Sequence, residues 1–130
     1  MKQLLFLAVL LAACGSPEST QTEVSAFSAS PYEEHYPNGQ LKIKGQNAKE
    51  LRHGLWTAYY ESGVKWSEEH YVDGERNGVS VSYYPSGIVR YRGMYRQDKR
   101  VGKWYFYHED GKIATEMEMG QNGVPDQETN

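Results

Sequence analysis

Cys14 is the single thiol of the 130-residue chain. It can form no internal disulfide, and no Cys-based zinc site can be built around it. His35, His53, His70 and His108 have no spacing that would gather them on a metal. Glu68 and Glu69 are neighbours, so on a strand they point to opposite sides and cannot work as an acid–base pair. Asp73-Gly74-Glu75 is too short for a calcium loop. There is no nucleophile elbow, no H-E-x-x-H and no phosphate-binding glycine loop. Binding is therefore expected rather than catalysis, with no cofactor and no metal. The residues for binding are abundant: 11 Tyr, 3 Trp and a run of arginines.

The lone Cys has a context. Met1 to Cys14 reads MKQLLFLAVLLAAC, with Lys2 ahead of an unbroken apolar run from Leu4 to Leu11. That run is too short to span a bilayer, which takes ~20 residues, and suits the apolar centre of a secretory signal. Leu11-Ala12-Ala13-Cys14 resembles the lipobox of bacterial lipoproteins. The resemblance implies cleavage before Cys14 and lipidation of its thiol, which would anchor the chain to a membrane. An ordinary secretory signal cut after Ala13 is the alternative, and it leaves the free thiol without a use. Gly15 stands where lipoproteins kept at the inner membrane commonly carry Asp, so the resemblance favours the outer membrane in a cell that has one. Residues 14–31 are rich in Ser, Thr, Glu and Pro and read as a flexible tether, as residues 121–130 read as a flexible tail.

Between them the chain repeats. Gly39, Gly63, Gly87 and Gly111 are each 24 residues apart, and Gly54, Gly78 and Gly102 keep the same interval. Aromatic or His pairs precede the first set, from His35-Tyr36 to Tyr107-His108, and Trp56, Ser80 and Trp104 follow the second. So strict a period is the mark of a repeat architecture. Tyr84-Pro85-Ser86-Gly87 and its equivalents are tight-turn sequences, in which the Gly takes the left-handed conformation. Val79–Tyr84 and Ile88–Tyr95, on either side, are rich in β-branched and aromatic residues. The polar stretch from Asp73 to Asn77 reads as a turn of another kind, and all seven glycines are assigned to turns. The predicted fold is an all-β meander of about seven short strands, one hairpin per repeat.

Tyr84 to Gly87, continuing through Tyr95 to Gly102-Lys103-Trp104, resembles the MORN-repeat-variant family, as does Tyr60 to Gly78 with its Tyr71-Val72-Asp73-Gly74. The first unit departs, with Asn47-Ala48-Lys49-Glu50 in place of Tyr and Asp-Gly, and the last is cut short near Gly120. The resemblance covers residues 32–120 and implies one elongated, single-layer antiparallel sheet of repeated hairpins. It implies no single activity. Some members are antitoxins of toxin–antitoxin pairs, which makes an antitoxin or immunity-type inhibitor an alternative to a scaffold.

Alternation about the Pro85-Ser86-Gly87 turn assigns two faces. Val79, Val81, Tyr83, Tyr91, Tyr95, Met117, Met119, Leu55 and Ile43 are expected on a buried face. Trp56, Trp66, Tyr84, Arg90, Arg92 and Trp104 are expected opposite, as a binding surface of the kind that dominates protein interfaces. The same rings could instead stabilise a thin sheet by cross-strand pairing. Residues 88–104 hold six basic residues against Asp98, a net of +5, in a chain of net charge −3. The overall sign argues against nucleic acid, while the strip suits ion pairing between repeats, or an acidic partner or anionic lipid head groups. The expected function is a non-catalytic, lipid-anchored binding module of the bacterial envelope with a protein partner. A polysaccharide-binding module is a further alternative, since exposed Trp and Tyr stack on sugars.

Overall fold

The computed structural model describes residues 28–126, so Cys14, the leader and most of the tether lie outside the described residues. The described chain forms β1 (Ala29–His35), β2 (Leu41–Ala48), β3 (Leu51–Tyr59), β4 (Lys65–Val72), β5 (Glu75–Tyr83), β6 (Val89–Arg96), β7 (Lys99–Tyr107) and β8 (Ile113–Met119). All eight pair antiparallel in chain order in one sheet. The meander is as expected, with eight strands rather than about seven. β1 draws Ala29–Pro31 from the end of the segment read as a tether, and past β8 Met119 bridges to Pro125.

Two kinds of turn alternate. In the first, the Gly87 amide donates to the Tyr84 carbonyl and the Tyr84 amide to the Ile88 carbonyl, both at 2.8 Å. The same pair of bonds recurs at Tyr36, Tyr60 and His108. Gly87 has φ of 87°, the left-handed value this hairpin loop demands. The second kind joins strands through Lys49-Glu50, Asp73-Gly74 and Gln97-Asp98, with positive φ at both residues. That is the two-residue hairpin turn whose twist matches the strands. The first unit keeps it although Lys and Glu replace Asp-Gly.

Gly54, Gly78 and Gly102 are not at turns. They lie inside β3, β5 and β7, at irregularities of the ladder. Between Glu69↔Ser80 and Tyr71↔Arg76, β5 advances further than β4, and Gly78 at φ 123° takes up the excess.

The repeats are tied by hydroxyls. Tyr36 Oη donates to the Tyr59 carbonyl, Tyr60 Oη to Tyr83 and Tyr84 Oη to Tyr107, each at 2.8 Å. Each tyrosine thus anchors one hairpin to the next. Backbone ties share the period: the Gly74 amide donates to the Arg52 carbonyl and the Asp98 amide to Arg76.

A second irregularity changes the faces. Tyr83 pairs with Val89 but Ser82 pairs with Tyr91, so Arg90 is an extra residue in β6. Trp66 is the extra residue in β4, and Lys42 and Ala114 are the extras in β2 and β8. One inserted residue reverses alternation beyond it. Tyr91, Tyr95, Met117, Met119 and Ile43 therefore join Trp56 and Trp104 instead of lying opposite them. Arg92, paired with Val81 and Tyr105, goes to the other side. Burial is inverted too. The face of Trp56 and Trp104 is the packed one, while Leu55 and Val79, expected inside, are 46 % and 48 % exposed.

Candidate binding surfaces

The packed face is built on glycine. Gly93 in β6 lies beneath the Trp104 indole, and a Cβ there would overlap the ring. With no side chain in the way, the ring lies flat on the backbone and is wholly buried. Tyr95 meets it edge-on at 5.1 Å, Tyr91 lies tilted at 5.8 Å, and the Arg100 guanidinium sits 4.6 Å from the ring centroid. Two repeats away, Gly45 and Trp56 form the same pair, with Tyr32 at 5.2 Å and Arg52 at 4.3 Å. The Trp56 Nε1 donates to the Gln46 carbonyl at 3.1 Å. Trp56 and Trp104 are thus core residues, and the expectation that they form an exposed binding surface is corrected. The capping arginines Arg52, Arg76 and Arg100 recur at 24 residues, a signal that sequence reasoning missed.

The unit between them differs. Glu69 occupies the position of Gly45 and Gly93, and Ser80 that of Trp56 and Trp104. Here no indole covers the sheet. A cleft of about 370 Å³ opens, lined by Arg52, Trp66, Ser67, Glu69, Arg90 and Tyr91 among others. Tyr71 Oη donates to Glu69 Oε2 at 2.8 Å, and the Ser80 hydroxyl lies 3.5 Å from Oε1, so the carboxylate is held in place. Arg52 donates to Tyr71 Oη at 3.3 Å. Ser82 Oγ donates to the Trp66 carbonyl at 3.2 Å and fixes the backbone under the indole. That indole is 48 % exposed, with Tyr60 beside it at 6.2 Å. Burial pushes the Tyr71 and Tyr91 phenols above their usual range, and the Glu69 carboxylate adds to it in both. The bulge brings Trp66 and Arg90 together here, as expected, but together with Tyr91 rather than opposite it. Tyr84 stands beside them, its ring 5.9 Å from the Arg90 guanidinium and its hydroxyl spent on the tie to Tyr107.

The other face is open. Leu55, His70, Val79 and Met94 form a row across β3 to β6, joined by the pairings Leu55↔His70 and Val79↔Met94. Leu55, Val79 and Met94 are nearly half exposed. At the β6–β7 end the row runs into a hollow of about 320 Å³ lined by Arg92, Met94, Arg96, Val101, Lys103 and Tyr105. Arg92 lies over the Tyr105 ring at 5.0 Å, and Lys103 pairs with Glu116 at 3.1 Å. Next to it Lys65 donates to Glu68 at 2.8 Å, and Tyr83 donates to the same carboxylate at 2.7 Å. Glu68 and Glu69 do face opposite ways.

Comparison with curated proteins finds no match. The profile of the MORN repeat variant matches residues 31–47, 52–73, 76–97 and 100–119, one match for each hairpin unit and its ties. With most of the chain covered and the 24-residue hairpin repeat present in the sheet, the chain belongs to the MORN repeat variant family.

Proposed function

We propose that the chain is a non-catalytic, lipid-anchored binding module of the bacterial cell envelope that recognises a protein partner through its repeat sheet. The observation that carries the partner is the open face. Leu55 of β3, Val79 of β5 and Met94 of β6 stand exposed in one row, with His70 of β4 between the first two, and the row is bordered at one end by Arg92, Arg96 and Lys103. An exposed, largely apolar row with a charged rim is the usual composition of a protein-binding patch. The sign of the rim selects an acidic partner surface. The family supports a repeat-based binding module. The anchor rests on the Leu11-Ala12-Ala13-Cys14 sequence, which would place the sheet at a membrane, the outer one in a diderm cell.

Crosslinking in native cells, followed by partner identification, tests this. Arg92→Glu and Val79→Asp are expected to abolish a crosslink that the native chain forms, and Cys14→Ser to release the protein from membranes. A crosslink that survives both face variants overturns the open face as the site. Retention of Cys14→Ser with membranes overturns the anchor. A captured toxin encoded beside this gene would make the module its inhibitor.

A further inference from the structure

We propose that the cleft over Glu69 is a saccharide-binding site, and that it prefers a sugar ring bearing a carboxylate. This goes beyond the protein-binding reading and uses the opposite face of the sheet.

The cleft is the place where the repeat abandons its own packing rule. Two units stack an indole on a glycine, and the third puts Glu69 and Ser80 there instead. Natural sequences commonly depart from the locally consistent choice where a site is needed. At about 370 Å³ the opening lies near the lower end of small-ligand sites. That is room for a sugar ring or two and too little for a helix or a folded partner. Its floor is the interior of a sheet, where the ladders of β3 to β6 use the backbone groups. An extended peptide, recognised chiefly through its main chain, finds no partner there. Recognition falls to side chains.

Those side chains suit a ring of hydroxyls. Arg52 and Arg90 only donate, Glu69 only accepts, and Ser67 does either. Among the described residues none of the three charged groups is in an ion pair. Vicinal sugar hydroxyls donate and accept at once, so they can satisfy both signs together. Trp66 supplies the apolar contact. The C–H face of a pyranose carries partial positive charge and meets the negative face of an indole. Two guanidiniums against one carboxylate leave the cleft net positive, and a guanidinium binds a carboxylate in a paired, planar geometry. A cationic ligand would face both arginines, whereas a single carboxylate balances the one net positive charge of Arg52, Arg90 and Glu69 and a phosphate dianion exceeds it.

Titration of the full chain with trigalacturonate and with N-acetylmuramic acid, and with cellotriose as the neutral comparison, tests the proposal by calorimetry and protein-observed NMR. At least one acidic sugar is expected to bind at least about tenfold more tightly than cellotriose. Trp66→Ala and Arg90→Ala are each expected to lose about tenfold in affinity, with folding checked by NMR. The double variant Glu69→Gly/Ser80→Trp rebuilds the stack of the other units. It should melt higher than the native chain and bind no sugar. Arg92→Glu, on the opposite face, should leave the titration unchanged. Failure of both acidic sugars to bind, or undiminished binding by the filled variant, overturns the proposal. It has no bearing on capture of a protein through the open face.

Discussion

Glycine and tryptophan meet in the units of Gly45–Trp56 and Gly93–Trp104, and glutamate and serine meet in the unit between them. Both arrangements stand on the same backbone, the same bulges and the same tyrosine ties. The sheet therefore does not depend on a stacked indole in every repeat. What the outer units gain is a core: Trp104 gathers Tyr95, Met119, Tyr91, Phe106 and Met117 into a cluster on a sheet that has no second layer among the described residues. What the middle unit gains is a polar floor, with Ser80 and Ser82 only 1 % and 2 % exposed, and a cleft above it between two apolar clusters. A single-layer sheet cannot bury its centre against another element, so each unit covers its own backbone, the outer ones with an indole and the middle one with Glu69 and Tyr71, which leave a cleft beside them.

The difference can be broken most sharply at the glycine. Gly93→Val should push the Trp104 indole off the sheet and unfold the β6–β8 end, with a loss comparable to removing a buried Trp, about 3–5 kcal/mol. The equivalent change, Glu69→Val, has no ring above it and removes only the acceptor of Tyr71 and Ser80, so it should cost less, about 1–2 kcal/mol. Thermal melts of the two variants check this; equal losses would mean that the Gly–Trp contact carries no special weight.

The converse experiment fills the gap. Ser80→Trp alone should be unfavourable, because the Glu69 side chain occupies the bed of the ring. Glu69→Gly alone should also be unfavourable, because it adds backbone freedom and leaves Ser80 and Tyr71 without their acceptor. Together they should stabilise the sheet, with a coupling energy of about 1–3 kcal/mol in a double-mutant cycle. Additive effects would show that the two positions do not act as a pair.

The tyrosine ties are common to both kinds of unit and should respond alike. Tyr60→Phe and Tyr84→Phe each remove one hydroxyl bond to a neighbouring carbonyl and should cost about 1 kcal/mol apiece by denaturant unfolding. A large difference between them would mean that the middle unit is held by something other than the shared frame.

The period was legible because turns impose it. The glycine at φ near 85° and the Tyr that opens each first-kind turn are local requirements, readable at Gly39, Gly63, Gly87 and Gly111 without knowing the packing. The faces were not legible. Lys42, Trp66 and Arg90 are ordinary strand residues, and nothing local marks them as the inserted member of a bulge. Missing that insertion reversed Tyr91, Tyr95 and Arg92, and with them the side assigned to solvent. Trp56 and Trp104 looked like interface anchors because Trp serves both purposes. The facing Gly45 and Gly93 settle the matter, and their common spacing of 11 residues from the Trp was available in the sequence. The same spacing read from Glu69 to Ser80 would have located the cleft.

The smallest expected effect separates the two faces by pH. On the open face the Lys65 ammonium beside Glu68, helped by the Tyr83 hydroxyl, holds that carboxyl below its usual range. At the second-kind turn the side-chain and backbone N–H groups of Arg76 do the same for Asp98. A carboxylate whose folded pKa lies below its unfolded one adds stability above the unfolded value, and that stability is lost as pH falls through the folded one. The sheet should therefore lose a little stability between about pH 5 and pH 3, reckoned from the ordinary Asp and Glu range. Both groups are reached by water, so the loss should be a fraction of what a buried pair would show. Glu68→Gln should remove part of this acid sensitivity and Asp98→Asn another part. Ser82→Ala, on the packed face, removes no charge and should leave the acid limb of the melting curve where it was. An acid limb unmoved by Glu68→Gln and Asp98→Asn would mean that neither pair stabilises the fold, and the acid loss would then belong to the other paired carboxylates, Glu34 beside Lys42 and Asp110 beside Lys112.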